Sequence, residues 1–225
     1  MKSFFKEFLR DDPPVDGGAP QICLGAFGKH PGWDDHIDDI GALVKRLTTH
    51  MHGAVSRMIR MPKPVINAVN GVAAGGGMSL ALAGDLILAT ESATFTMAYT
   101  KIGASPDGSS TFTLPRLIGV KRALELTMLN PVLTAKDAVA WGLVNRVFPD
   151  DQFQAEVHHI ASQLAQGPTQ AYGRAKALYY ASTQESLETQ MEHEALAIAA
   201  CGKTADFREG IFAFADKRAP TFLGR

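Results

Sequence analysis

Cysteine is scarce in this chain of 225 residues: Cys23 and Cys201 are its two, far apart and in no metal-ligand or redox spacing. That excludes a disulfide framework and fits a reducing compartment, with the cytoplasm as the expected location. Charge of one sign is equally lacking. The 22 basic residues nearly cancel the 23 acidic ones, leaving a formal charge of -1 and no polybasic run. Neither the phosphate backbone of nucleic acid nor an anionic membrane surface is therefore expected as a partner. Long apolar runs are missing too, because Gly84-Asp85 cuts the most hydrophobic stretch well short of the ~18 residues a membrane helix needs. The opening stretch from Met1 to Arg10 is charged throughout, with neither a signal-peptide core nor a cleavage site, so secretion is not expected. His30, His36, His50, His158, His159 and His193 show no coherent metal spacing, and no metal is expected.

What is present suffices for one sizeable core, since 46% of the chain is hydrophobic. Residues 1–20 read as a short leader helix and a linker of turn and breaker residues. Residues 21–150 read as a sheet-containing core, and 151–225 as a helical region. A buried strand is expected over 22–27. Over 37–61 the apolar positions Ile40, Leu43, Val44, Leu47, Met51, Val55, Met58 and Ile59 recur at three and four, which predicts a helix. Met61-Pro62-Lys63-Pro64 ends it, because proline removes a donor and biases its predecessor to extended geometry. Strands are expected over 65–69, 85–90 and 93–97, with a small buried helix over 78–83. Helices are expected over 121–129, 135–141, 153–164, 169–181 and 187–200.

Two loops carry the chemistry. The run Gly75-Gly76-Gly77 between a strand and a helix serves one of three ends: binding phosphate, holding an oxyanion, or letting helix and strand pack closely. It does not match Gly-x-Gly-x-x-Gly, and no Lys-Ser or Lys-Thr follows, so dinucleotides and nucleoside triphosphates are poor fits. Ser79 lacks the second glycine of a nucleophile elbow. Helix-start amides aimed at developing negative charge are worth about 3 kcal/mol each. Asp107, in Pro106-Asp107-Gly108-Ser109, reads alone as a turn or helix N-cap residue. Paired with the glycine turn it reads instead as an acid beside a carbonyl whose oxygen becomes negative.

The stretch Lys63-Pro64-Val65-Ile66-Asn67-Ala68-Val69-Asn70-Gly71 running into the glycine turn, then Ala83-Gly84-Asp85, Ala93-Thr94-Phe95 and Pro106-Asp107-Gly108-Ser109, resembles the crotonase, or enoyl-CoA hydratase/isomerase, superfamily. So do Leu114-Pro115-Arg116-Leu117-Ile118-Gly119, Ala140-Trp141-Gly142-Leu143-Val144 and the closing segment from Glu209 to Phe222. The resemblance implies an α/β fold, a spiral of ββα units with a C-terminal helical trimerisation region. It implies a homotrimer or a dimer of trimers. The substrate it implies is an acyl-CoA thioester, with coenzyme A entering as part of that substrate and no permanently bound cofactor. The enolate oxygen would be held by the Gly76 amide and by Trp33, the latter in the only upstream Gly-x-Asp arrangement with workable spacing. Lys217 and Arg218 resemble C-terminal basic residues that approach coenzyme A phosphates; solvated helix-end charge is the competing reading. Phe207, Phe212, Phe214 and Phe222 are expected in packing or an acyl pocket.

The family's hydratases use two glutamates at positions that align with Ser79 and Tyr99. A serine hydroxyl and a phenol titrate far above neutral pH, so simple water addition is disfavoured. Asp107 matches the single acid of members that shift a double bond, and an enoyl-CoA isomerase is the expected activity. His52 falls where the family's aromatic dehalogenases keep a histidine and Asp107 where they keep a nucleophile, but those enzymes place tryptophan at the Tyr99 position. The family's Arg-Pro-x-x-x-Asn-Ala-Leu-like motif is not visible. A non-catalytic acyl-CoA-binding or oligomerising relative is accordingly the alternative from a different class.

Overall fold

The computed structural model describes residues 40–225. The expected leader helix and linker, the strand over 22–27 and Trp33 lie outside the described residues. The first described element is helix α1 (Ile40–Arg60), within the apolar repeat and stopping just before the Pro62 and Pro64 pair. Strands β1 (Ile66–Val69) and β2 (Val72–Ala74) lead into helix α2 (Gly76–Ala81), and β3 (Leu86–Thr90) and β4 (Thr94–Thr96) into a 3-10 turn, Tyr99–Ile102, and helix α3 (Ser110–Leu129). Strand β5 (Leu133–Thr134), helix α4 (Ala135–Trp141) and strand β6 (Arg146–Phe148) complete the core.

These strands sort into two three-stranded sheets, β1-β3-β6 and β2-β4-β5. Successive strands β1 and β2, then β3 and β4, go to different sheets, so each ββ unit contributes one strand to each. The parallel pairing of β2 with β4, in register Val72 to Thr94, and of β3 with β6, Leu88 to Arg146, stacks one unit on the next. Strand β5 returns antiparallel to β4. This is an α/β spiral of ββα units. Strands this short cannot hold themselves together, and the side chains between them do so: Met78, Leu88, Phe95, Met97, Leu114 and Leu126 are almost completely buried. The Asn67 side-chain amide reaches from β1 to donate to the carbonyls of Leu80 (2.8 Å) and Ala81 (2.9 Å), pinning the end of α2.

Three elements depart from expectation. Helix α2 starts at Gly76 rather than 78, so the glycines form its first turn, and Gly75 adopts φ 53° and ψ -121°, which side-chain-bearing residues avoid. The span α3 is two helical segments meeting at a kink: Gly119 (φ 76°, ψ 157°) is non-helical, the segment after it contains the expected helix over 121–129, and the segment from Ser110 to Gly119, which includes Pro115, was not expected. Helix α8 (Ala205–Ala215) lies in the helical region expected over 151–225 but was not expected as a separate element; Thr204 caps it by accepting from the Phe207 amide at 3.1 Å.

Of the described residues, those up to Ser56 together with Asn67–Phe153 form one compact unit, and Arg57–Ile66 with Gln154–Arg225 a second. The second holds helices α5 (Phe153–Ala165), α6 (Thr169–Ala181), α7 (Leu187–Cys201) and α8, with Phe153 at the boundary. In it, Gly173 of α6 lies flat on the backbone of Pro62, and Lys176 donates to the Met58 carbonyl at 2.6 Å. The last residues fold back on the start of α8. There the buried Asp206 carboxylate accepts from the amides of Leu223 (2.7 Å) and Gly224 (2.8 Å), and the Asp206 amide donates to the Arg225 carbonyl at 3.1 Å. Bonds to a buried carboxylate are among the stronger ones, and the charge also complements the helix start. Asp206→Ala is expected to lower stability by about 1–3 kcal/mol and to speed carboxypeptidase trimming of the tail. An unchanged thermal midpoint with unchanged trimming would show that the tail is held by something else.

Candidate active site

Three segments converge on one point. Gly108, with φ 61°, is packed so closely that an added Cβ would lie 2.8 Å from the Ser79 Cβ and would overlap the Met51 methyl. Met51 belongs to α1, Ser79 to α2, and Gly108 to the loop before α3, so this approach sets His52 and Asp107, the immediate neighbours, beside each other. His52 Nε2 donates to Asp107 Oδ1 at 2.5 Å. The imidazole is half exposed, whereas three quarters of the aspartate side chain is covered.

The N-cap reading of Asp107 does not describe its side chain. Ser109 occupies the cap of α3 and makes no side-chain cap bond, and it is the Asp107 carbonyl that receives the Ser110 amide (3.3 Å) and hydroxyl (2.8 Å). With its backbone tied to the helix start, the carboxylate is turned to His52.

Ser79 and Tyr99, at the positions where the resemblance places hydratase glutamates, are bonded to each other, Oγ to phenol oxygen at 3.0 Å. Both are buried, and the Ser79 hydroxyl also donates to the Gly75 carbonyl at 3.3 Å. Burial pushes the Tyr99 phenol above its ordinary 10.0, and the Asp107 negative charge adds to that push against the opposing Ser79 bond. Gly76, as the first residue of α2, contributes one of the amides that helix geometry leaves without an i-4 carbonyl. The glycine turn and the Asp107 loop therefore meet through Ser79. Among the described residues no cluster of three His, Cys, Asp or Glu side chains is arranged to hold a metal ion.

The C-terminal candidates lie in the second unit. Arg218 forks onto Glu209, Nη1 to Oε1 at 2.6 Å and Nη2 to Oε2 at 3.0 Å, and the Thr221 amide donates to the same carboxylate at 2.9 Å. The guanidinium and that amide hold the Glu209 carboxyl down to about 2. Lys217 is exposed, in a left-handed turn of φ 53° just past α8. Phe207, Phe214 and Phe222 border an open apolar groove of about 340 Å³ with Cys201 and Ile211, and Phe212 and Phe214 are both largely exposed. Sequence reasoning missed the Ser79–Tyr99 bond and the wedge at Gly108. The Pro-Asp-Gly spelling signalled a turn there, but nothing local to it signals which distant helix it abuts.

The model of the family described as enoyl-CoA hydratase/isomerase matches residues 43–225, from the first turn of α1 through every candidate just placed. The chain belongs to that family. It is 40% identical over 187 residues to the 1,2-epoxyphenylacetyl-CoA isomerase of Escherichia coli K12, covering 83% of this chain and 70% of that protein. It is also 40% identical over 168 residues to a 4-chlorobenzoyl coenzyme A dehalogenase of an Arthrobacter species, covering 75% of this chain and 61% of that one. Among solved structures, a putative enoyl-CoA hydratase/isomerase from Mycobacterium abscessus superimposes with a TM-score of 0.81 at 30% identity, over 88% of this chain and 76% of its own. The crotonase fold expected from the motifs is thus shown. The chain spans between 61% and 70% of the length of the two curated relatives described.

Since folding raises the Tyr99 phenol above 10.0, the folded state keeps that proton longer than the unfolded one, and the stability linked to it is lost as pH rises past that value. Ultraviolet titration of the folded protein is expected to show a late tyrosine phase that Tyr99→Phe deletes. A late phase surviving in that variant would place the buried phenol elsewhere.

Proposed function

We propose that the chain isomerises an enoyl-CoA thioester, with Asp107 as the single acid and base. The carboxylate takes a proton from C2 of a 3-enoyl thioester; the electron pair of that C–H bond moves into a dienolate whose oxygen the Gly76 amide stabilises. Asp107, now protonated, returns the proton at C4, so the double bond moves and nothing else is consumed. Trp33 is the expected second amide donor. The observation that carries this reading is the pairing of one covered carboxylate with His52 while Ser79 and Tyr99, bonded to each other, supply no second carboxylate to activate water. The isomerase relative supports the same class.

Lys217 is the exposed cation proposed to approach coenzyme A phosphates; Arg218 would do so only from within its fork with Glu209. Large apolar side chains left exposed support a homotrimer or dimer of trimers: Leu117, Val120, Leu124 and Met128 along α3 in one unit, Phe212 and Phe214 on α8 in the other. No helix among the described residues is long and apolar enough to cross a membrane, and the proposed setting is the cytoplasm.

One observation favours a second reading. The His52–Asp107 bond also suits an aspartate that attacks a halogenated aryl thioester and a histidine that helps water hydrolyse the resulting ester, and a relative is named as such a dehalogenase. Chloride release from 4-chlorobenzoyl-CoA separates the two. For the isomerase, Asp107→Asn is expected to cut turnover of a 3-enoyl-CoA by about 10²–10⁴-fold with thioester binding retained. Full turnover by that variant would rule out Asp107 as the acid and base, and no turnover by the unsubstituted protein would favour a binding role.

A further inference from the structure

We propose that the buried hydroxyls of Ser79 and Tyr99 are positioning residues that hold the Gly75–Gly76 peptide in the orientation an oxyanion donor requires. This rests on the reading of Gly76 as that donor. A peptide flanked by glycines is the kind most free to rotate, and Gly75 already sits at φ 53°. Its carbonyl is gripped twice, by the Ser79 amide at 3.0 Å and the Ser79 hydroxyl at 3.3 Å. Because a trans peptide is planar, with N–H and C=O pointing opposite ways, fixing the carbonyl inward along α2 turns the Gly76 N–H outward from the helix start.

A serine bonded to its own i-4 carbonyl is an ordinary local feature of helices. Here the hydroxyl has a second partner from another segment, the Tyr99 phenol at 3.0 Å, and both side chains are buried, at 0% and 8% exposure. Either hydroxyl can be the donor in that contact; when the Ser79 proton goes to the Gly75 carbonyl, which only accepts, the Ser79 oxygen is left to accept from Tyr99. In that arrangement the donors run from phenol to serine and from serine to carbonyl. Donation into the carbonyl polarises the peptide and strengthens its N–H. Tyr99 begins the segment that leads to Asp107, and Gly108 abuts Ser79, so the same pair ties the donor peptide to the loop of the acid. Residues that other members would use to activate water are here turned to holding the cradle.

The test is infrared difference spectroscopy of benzoyl-CoA, carbon-13 labelled at the thioester carbonyl, bound to the full chain. Benzoyl-CoA has no hydrogen at C2, no enoyl bond and no halogen, so it is inert under every reading of the reaction. The bound carbonyl is expected to shift to lower frequency in the unsubstituted protein, to lose most of that shift in Ser79→Ala and a smaller part in Tyr99→Phe. The double variant should lose no more than Ser79→Ala alone. In parallel, kcat for 3-enoyl-CoA isomerisation should fall about tenfold in Ser79→Ala with KM nearly constant, less than the loss of a whole donor. A purely structural role would lower the melting temperature and leave the carbonyl frequency in place; should Ser79→Ala fail to fold, Tyr99→Phe, which keeps the ring, decides alone. A shift undiminished in the variants, or absent in the unsubstituted protein, overturns the proposal. A serine-dependent shift without isomerase turnover overturns the reaction and leaves the positioning role standing.

Discussion

The close approach of Gly108 to Met51 and Ser79 is the constraint on which the site depends. Three segments far apart in sequence, α1, α2 and the loop before α3, have no sheet pairing to align them at that point. A residue without a side chain lets them touch. The contact puts His52 against Asp107 and the serine that grips Gly75 against the same loop. A β-carbon at 108 would push all three apart, and with them the acid, its partner and the glycine turn. Met78 of α2 is buried in one cluster with Phe95 and Met97, which seats the helix on the strands beneath, and Asn67 ties its far end.

Much of this was legible beforehand because it was written in local chemistry. The prolines after Met61 stop α1, and the spacing of Leu47, Met51 and Val55 announces its covered stripe, half-buried at the first two and buried at Val55. The motifs around Gly75 and Asp107 name the family before any coordinate does. What stayed hidden is of two kinds. The helical segment from Ser110 is hidden in sequence because Pro115 reads as a breaker, although Leu114 beside it is buried in the core, whereas Gly119 does break the helix and the segment after it is legible. The Ser79–Tyr99 bond and the Gly108 wedge depend on tertiary proximity, which no spacing along one strand of sequence encodes.

The charges at the C-terminus show a similar division. Arg218 reads from sequence as a cation for phosphates, yet in the folded chain Glu209 takes its fork and fastens the segment that follows α8. Asp206 does the same for the last residues. The second unit thus spends its ion pairs on its own closure and leaves Lys217 as the open cation there among the proposed pair.

The central claim is that one covered carboxylate moves a proton at the carbon next to a thioester carbonyl. Proton nuclear magnetic resonance of phenylacetyl-CoA incubated with the protein in deuterium oxide reads that step without requiring a complete turnover. Washing of deuterium into C2, abolished by Asp107→Asn, is the result expected. Retention of both C2 protons in a thioester shown to be bound would contradict it.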